Sequence, residues 1–310
     1  MVHATASGGS DTRVDQRTRD AFGFEWLRYP VTTPEEDRVT WFGLTGIEPS
    51  FYDRVSFRNL FSHEPTAADV AASTTGKLAG KTVVEAGCGM GKYVAVVAQL
   101  EPTLAVGLDA SDAVERAVEK TRHLPNALIV QGDIFRPPLR DEFDLAYSVG
   151  VLHHTSDPRK AFLSTATLVR PDGTIAVWLY PHAETFVPQL IEFVHERILR
   201  PLTSKLPHRM LEQICSVLGR MSAFKTRLIE RGGWWRIGLA RTLNLIAVGE
   251  HVDPQIAAFL NFDWYSPPYR FRHTEDEVRE WYSTAGFGEP RLLPVRVSAI
   301  GRREPAAEGR

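Results

Sequence analysis

Apolar and polar positions follow two rhythms along this chain, and the change from one to the other marks its organisation. After Gly80, Thr82 to Ala86 is a short apolar run, followed by GCGMG and then by YVAVVAQL with apolar residues at helical spacing. The pattern predicts strand, tight turn and helix. It then repeats, with LAVGLDA as a second strand, DAVERAVEKTRHL as a helix and ALIVQGD as a third strand. FDLAYSVGVL makes a fourth strand, PRKAFLSTATLV a helix, and GTIAVWLY a fifth strand after the turn Pro171-Asp172-Gly173. Strands alternating with helices at this spacing predict an α/β fold with a parallel sheet covered on both faces.

Past Tyr180 the alternation stops. Residues 184–261 carry helical periodicity, as in VPQLIEFVHERIL, and almost no strand signal. HTEDEVREWYSTAGF then offers a capping pattern, Thr274 before Glu277, with a stop at Gly286, and PRLLPVRV and SAIGRR predict a terminal hairpin. Upstream of the first strand, FGFEWLRYP, VTWFGL and SFYDRVSF are aromatic and lack strand alternation. The chain divides accordingly into a disordered start (1–15), an N-terminal helical lid segment (16–75) and a sheet-forming core (76–183). A helical cap insertion (184–265), the last core helix with the terminal hairpin (266–303) and a tail (304–310) follow.

Composition adds limits. Hydrophobic residues make up 43% of the chain and charged residues 24%, values of an ordinary folded protein and not of a disordered or membrane-embedded one. A net charge of −2 argues against a broad nucleic-acid surface and favours a small-molecule partner. Two cysteines, Cys88 and Cys215, suit a reducing, cytoplasmic setting. The opening MVHATASGGSDT has no apolar core of a signal peptide, and the apolar stretch from Leu239 to Gly249 is too short to span a bilayer, so no membrane partner is expected. No metal-ligand spacing is present, so no metal is expected. Oligomeric state is not readable, and a homo-oligomer stays open.

Three strand ends carry candidate chemistry. Gly87, Gly89 and Gly91, with Cys88 and Met90 between them, follow the first strand directly, where a tight turn and a closely approaching ligand both call for a missing Cβ. Asp109, followed by Ala110, ends the second strand about 20 residues beyond the glycines, where a carboxylate can accept both hydroxyls of a ribose. It can also simply cap the following helix. Asp133 and Ile134 follow the third strand, where a carboxylate can meet an adenine amino group and an apolar side chain its ring. Three such signals in order are more specific than any one alone.

In these residues the chain resembles the class I S-adenosylmethionine-dependent methyltransferases: VVEAGCGMGKY, VGLDAS, VQGD, FDLAYSVGVLHHTSDP and PDGTIAVWLY match their successive motifs. The resemblance covers roughly residues 81–180. It implies a Rossmann-like seven-stranded, mostly parallel sheet with a C-terminal antiparallel hairpin, to which the helical cap is added. It implies S-adenosyl-L-methionine as cofactor, with Glu85 near the methionyl amino end and the Gly87–Gly91 backbone along the amino-acid part. Asp109 would hold the ribose, Asp133 and Ile134 the adenine, and the Ser148–Val149 backbone would face the methionyl portion. The outer segments AFGFEWLRYP and NFDWYSPPYRFRHT are similar to those of a bacterial subset found in natural-product and surface-polysaccharide pathways.

Methyl transfer asks the protein to position an acceptor and, where the acceptor is protonated, to supply a base. His153, His154 and Tyr180 follow the fourth and fifth strands and are the candidates, each with a plain packing role as the alternative. Trp26 and Tyr29 in the N-terminal segment, and Tyr265 and Tyr269 around the paired prolines 267 and 268, are candidate acceptor-binding residues or plain packing. The expected function is methyl transfer to a small biosynthetic intermediate. The same fold also allows attack at the γ-carbon, with aminocarboxypropyl transfer or intramolecular cyclisation and release of methylthioadenosine. A non-catalytic cofactor-binding protein is the third reading.

Overall fold

The structure, a computed structural model, describes residues 12–28, 78–183, 189, 192–249 and 251–305. These fall into two compact units. One contains the described residues of 78–182 and 269–305, and the other those of 12–28 and 183–268.

The first unit is built on a seven-stranded sheet. β1 (Thr82–Ala86), β2 (Leu104–Asp109), β3 (Ala127–Gln131), β4 (Phe143–Val149), β5 (Val169–Trp178), β6 (Arg291–Leu292) and β7 (Ser298–Arg302) lie in the order β3-β2-β1-β4-β5-β7-β6. The first five pair in parallel, and β7 joins β5 and β6 antiparallel. Between the strands run α2 (Lys92–Ala98), α3 (Val114–Thr121) and α4 (Pro158–Ala166), and α9 (Glu275–Thr284) precedes β6.

The near-continuous apolar runs of β1, β2 and β4 have a simple cause, since successive residues enter different cores. Val83, Ala105 and Leu145 pack with Tyr93, Val94 and Val97 of α2, whereas Val84, Val106 and Ala146 pack with Phe162 of α4 and Trp281 and Tyr282 of α9. Both faces of the sheet are therefore covered. Tyr282 is fully buried, and its hydroxyl lies 3.0 Å from the Ile175 carbonyl and 2.9 Å from that of Ala299, fastening α9 over the parallel–antiparallel junction.

The expected elements are found, with shifted edges. The predicted fifth strand starts earlier, at Val169, and Pro171-Asp172-Gly173 lies inside it as an irregularity between the Phe143–Val169 and Leu145–Thr174 pairings. Asp172 takes a positive φ of 62° there. The capping box at α9 forms as expected: Thr274 Oγ1 accepts from the Glu277 amide, and the Glu277 carboxylate accepts from the Thr274 amide.

The second unit is helical in its described residues. α1 (Thr12–Arg28) starts inside the segment expected to be disordered, a correction to that boundary. It groups with α5 (Arg200–Thr203) and the π-helical turn His195–Leu199 before it, and with α6 (His208–Glu230), α7 (Trp234–Leu243) and α8 (Pro254–Tyr265). Phe24 of α1 lies against His208 and Phe262, and Leu211, Cys215, Phe262 and Tyr265 form the local core. The expected helical character of 184–261 holds for its described part. The unit boundary falls after Pro268, three residues beyond the expected one. Among the described residues no helix is long and apolar enough to cross a membrane.

Candidate functional site

In a parallel sheet every strand delivers its last residue to the same edge, and there the loops can converge on a ligand. The predicted residues of the first unit gather at that edge, at the ends of β1 to β5.

Glu85 is the next-to-last residue of β1. It is 2% exposed, and its Oε2 accepts from the Tyr147 hydroxyl of neighbouring β4 at 3.1 Å. Burial pushes its carboxyl up to about 8, against the opposing pull of that hydrogen bond and of Lys92. Glu85 is therefore held mainly as the neutral acid at neutral pH, an unusual state that a nearby cation would reverse.

The glycine turn that follows is fixed by close approach. Gly87 has φ +83° and a Cβ there would come within 2.3 Å of Val151 Cγ1, while at Gly91, φ +74°, it would meet Ala117 Cβ at 2.8 Å. The Gly87 and Cys88 amides donate to the Leu108 carbonyl at 2.7 and 3.0 Å. Cys88 turns its side chain inward, where its Sγ would lie 2.8 Å from a Cβ on Gly107, and burial pushes its thiol up. Its backbone is engaged inside the turn, the carbonyl accepting from the Gly91 amide at 2.8 Å, and its thiol is inert. Met90 occupies the turn between Gly89 and Gly91, half-buried.

Asp109 does more than end β2. Its Oδ2 accepts from the Gly89 amide at 2.8 Å, and its Oδ1 accepts from the Ser111 amide and hydroxyl at 2.8 and 2.7 Å. The carboxylate thus ties the glycine turn to the second strand, and it does not cap α3, whose N-cap is Ala113. Of its four lone-pair sites, one on Oδ2 stays available for a ligand. Ala110 follows it, half-buried. Asp133 takes the Phe135 amide on Oδ1 at 2.9 Å, and Ile134 is half-buried beside the apolar core. At the end of β4, Ser148 is fully buried with its hydroxyl on the Ala86 carbonyl at 2.8 Å, so any ligand contact falls to the backbone, as it does at Val149.

Beyond β4 and β5 lies an aromatic and basic group. His153 and His154 occupy a short 3-10 turn, Leu152–His154. His153 is fully buried, stacks on Tyr180 at 3.8 Å between centroids and leaves both ring nitrogens without a hydrogen-bond partner. Burial holds it well below the usual histidine range, reinforced by His154, Arg270, His273 and Arg272, so it is a neutral imidazole at neutral pH. His154 is engaged differently: its Nδ1 donates to the Tyr269 carbonyl at 2.8 Å. The Arg270 guanidinium lies 4.5 Å from the Tyr180 ring centroid, and Arg272 donates to the Pro181 carbonyl at 2.9 Å.

Of the acceptor-binding candidates, Tyr269 joins this group through its backbone, with its ring stacked on Phe271. Trp26 and Tyr265 lie in the helical unit, Trp26 against Phe259 and Tyr265 in the core with its hydroxyl on the Ile246 carbonyl at 2.6 Å. Tyr29 lies outside the described residues. Trp178, Arg270, Arg272 and His273 were not singled out from the sequence. For Arg270, Arg272 and His273 the only signal was the basic-aromatic alternation RFRH in NFDWYSPPYRFRHT, and Trp178 read only as part of the strand GTIAVWLY. Among the described residues no group of histidines, cysteines and carboxylates is arranged to hold a metal ion.

Residues 84–177 match the family model described as a methyltransferase domain. Over 96 residues the chain is 38% identical to trans-aconitate 2-methyltransferase of Deinococcus radiodurans, covering 31% of this chain and 36% of that protein. It is 28% identical over 102 residues to tRNA U34 carboxymethyltransferase of Desulfotalea psychrophila, 32% of each chain. The matches thus span about a third of the length of these curated relatives. A solved structure of magnesium protoporphyrin IX methyltransferase from Synechocystis with bound SAH is similar at 15% identity and a TM-score of 0.48, over 95% of this chain and 100% of that one.

Proposed function

We propose that this chain, whose residues 84–177 match the methyltransferase domain model, transfers a methyl group from S-adenosyl-L-methionine to a small-molecule biosynthetic intermediate. The observation that carries this reading is the convergence, at one edge of the sheet, of a ligand-ready turn and a buried base. Glu85, the Gly87–Gly91 turn, Asp109 and Asp133 lie there together with the unpartnered imidazole of His153.

The residues present fit the cofactor. Asp109 Oδ2 holds one protein donor and keeps a lone pair for a ribose hydroxyl. Asp133 and Ile134 suit an adenine, and the Ser148–Val149 backbone the methionyl portion. Glu85, neutral while nothing charged is near, would ionise toward the ammonium of the methionyl end. When bound, the cofactor supplies an electrophilic methyl group on a sulfonium.

The chain's own work is to bind, orient and take a proton. The neutral His153 ring offers a lone pair that can accept the proton of an acceptor hydroxyl or amine as its nucleophilic atom is released. Tyr180 fixes the plane of that ring by stacking, and His154, held by the Tyr269 carbonyl, lies tilted against it at 4.3 Å between centroids and edge-on to Tyr180. Burial of the pair keeps water from competing for the proton.

The test is the nucleoside formed when the purified chain is incubated with S-adenosylmethionine and a small-metabolite extract. S-Adenosylhomocysteine is the expected product. Methylthioadenosine would mean that the γ-carbon is attacked instead, and neither product, despite bound cofactor, would favour a binding protein.

A further inference from the structure

A neutral imidazole suffices as a base, but the surroundings of His153 supply more than a base needs. The groups acting on it after burial itself are His154, Arg270, His273 and Arg272, all cationic or able to become so. The indole Nε1 of Trp178, whose ring lies edge-on to His153 at 6.3 Å between centroids, is buried and has no hydrogen-bond partner. His273, 8% exposed, likewise has no hydrogen-bond partner on either ring nitrogen, and its nearest carboxylate is Glu277 at 3.7 Å. Buried polar groups in native proteins are overwhelmingly paired, so a concentration of open N–H donors at one place marks a ligand that accepts hydrogen bonds. Positive potential in the same place selects an acceptor group with negative charge.

From this cluster, and resting on the methyltransferase reading above, we infer that the acceptor carries a carboxylate, received by His153 and the Trp178 indole N–H under the charge of Arg270 and Arg272. Tyr180 organises the pocket by holding His153 on one contact and the Arg270 guanidinium on another. A neutral analogue can still accept from the indole and imidazole donors but forgoes the attraction of Arg270 and Arg272, which is how such a site disfavours uncharged analogues. The anion also offsets the cationic surroundings of His153, so the same binding event makes that ring a stronger base.

The test uses the full chain loaded with S-adenosylhomocysteine, and acetate, acetamide and inorganic phosphate as probes. The readout is the His153 ring resonances in heteronuclear NMR, assigned from the spectrum of His153→Gln. Acetate is expected to shift them saturably, with acetamide at least about tenfold weaker, the discrimination expected when charged hydrogen bonds are lost. Arg270→Gln and Arg272→Gln should each weaken the acetate response by about tenfold or more. Equal responses to acetate and acetamide, or no response to acetate, would overturn the inference. Phosphate binding about tenfold tighter than acetate would replace the carboxylate by a phosphate ester and overturn it too. If either Arg variant fails to fold, the wild-type comparison decides alone. Binding of S-adenosylhomocysteine, measured by calorimetry beforehand, separates the two proposals: its absence sinks the methyltransferase reading, whereas its presence without carboxylate preference sinks only this one.

Discussion

Glu85→Gln should make the cofactor-free protein more stable at neutral and alkaline pH while leaving it unchanged in acid. The Glu85 carboxyl goes from an ordinary 4.5 in the unfolded chain to about 8 in the fold, principally through burial. The folded state therefore holds a proton that the unfolded state releases. Stability is greatest below the unfolded value and falls as pH rises from 4.5 toward 8, levelling off above it. At 1.36 kcal/mol per pH unit the loss is about 3 kcal/mol by pH 7 and about 5 kcal/mol by pH 9, a large share of a domain's stability. Glutamine keeps the shape and can still accept the Tyr147 hydroxyl, but it never ionises. Urea denaturation of both proteins across about pH 4.5 to 9 gives the two curves, and their difference removes every other titrating group, including the oppositely signed His153. The difference should grow with pH. Parallel curves would show that Glu85 is not buried as an acid and that the fold does not hold its carboxyl neutral.

Other outcomes follow from single contacts. Asp109→Ala should weaken S-adenosylmethionine binding by about 1.5–3 kcal/mol in calorimetry, and should speed amide exchange at Gly89, which loses its acceptor; slow exchange with weakened binding would separate the two roles. Gly87→Ala should cost about 2–4 kcal/mol in denaturation, since it adds a Cβ at φ +83° and 2.3 Å from Val151. His153→Gln should lower kcat by about a hundredfold or more at unchanged cofactor affinity, and an unchanged kcat would make it a packing residue. Tyr282→Phe should lose about 1 kcal/mol by leaving the Ile175 and Ala299 carbonyls without its hydroxyl.

The parts that could be read from the sequence share a cause. Where local chemistry decides, as at the Gly87–Gly91 turn, the strand ends at Asp109 and Asp133, or the Thr274–Glu277 capping box, spacing and residue type are sufficient. β1 and β2 were legible because both of their faces are buried, which makes the apolar run continuous. Pro171-Asp172-Gly173 read as a turn and is an irregularity within β5, because the pairing with Phe143 resumes upstream of it and only the partner strand reveals that. The grouping of α1 with the helical insertion depends on Phe24 meeting Phe262, over 200 residues away, and no local pattern carries it. Arg270 and Arg272 belong to an irregular connector, where charge alone does not say what it faces. Asp109 was legible as the polar end of the second strand, but its hold on Gly89, 20 residues away, is tertiary geometry.

Calorimetric titration of the purified chain with S-adenosylhomocysteine tests the central claim most directly, because the proposed function assigns every strand-end residue of the site to that ligand and no acceptor need be known. One-to-one binding in the micromolar range is expected, accompanied by net proton release at neutral pH as Glu85 ionises toward the ligand's ammonium, seen as a dependence of the heat on the buffer's ionisation enthalpy. No binding of S-adenosylhomocysteine, or of S-adenosylmethionine in competition, would contradict the assignment of this edge of the sheet as a cofactor site.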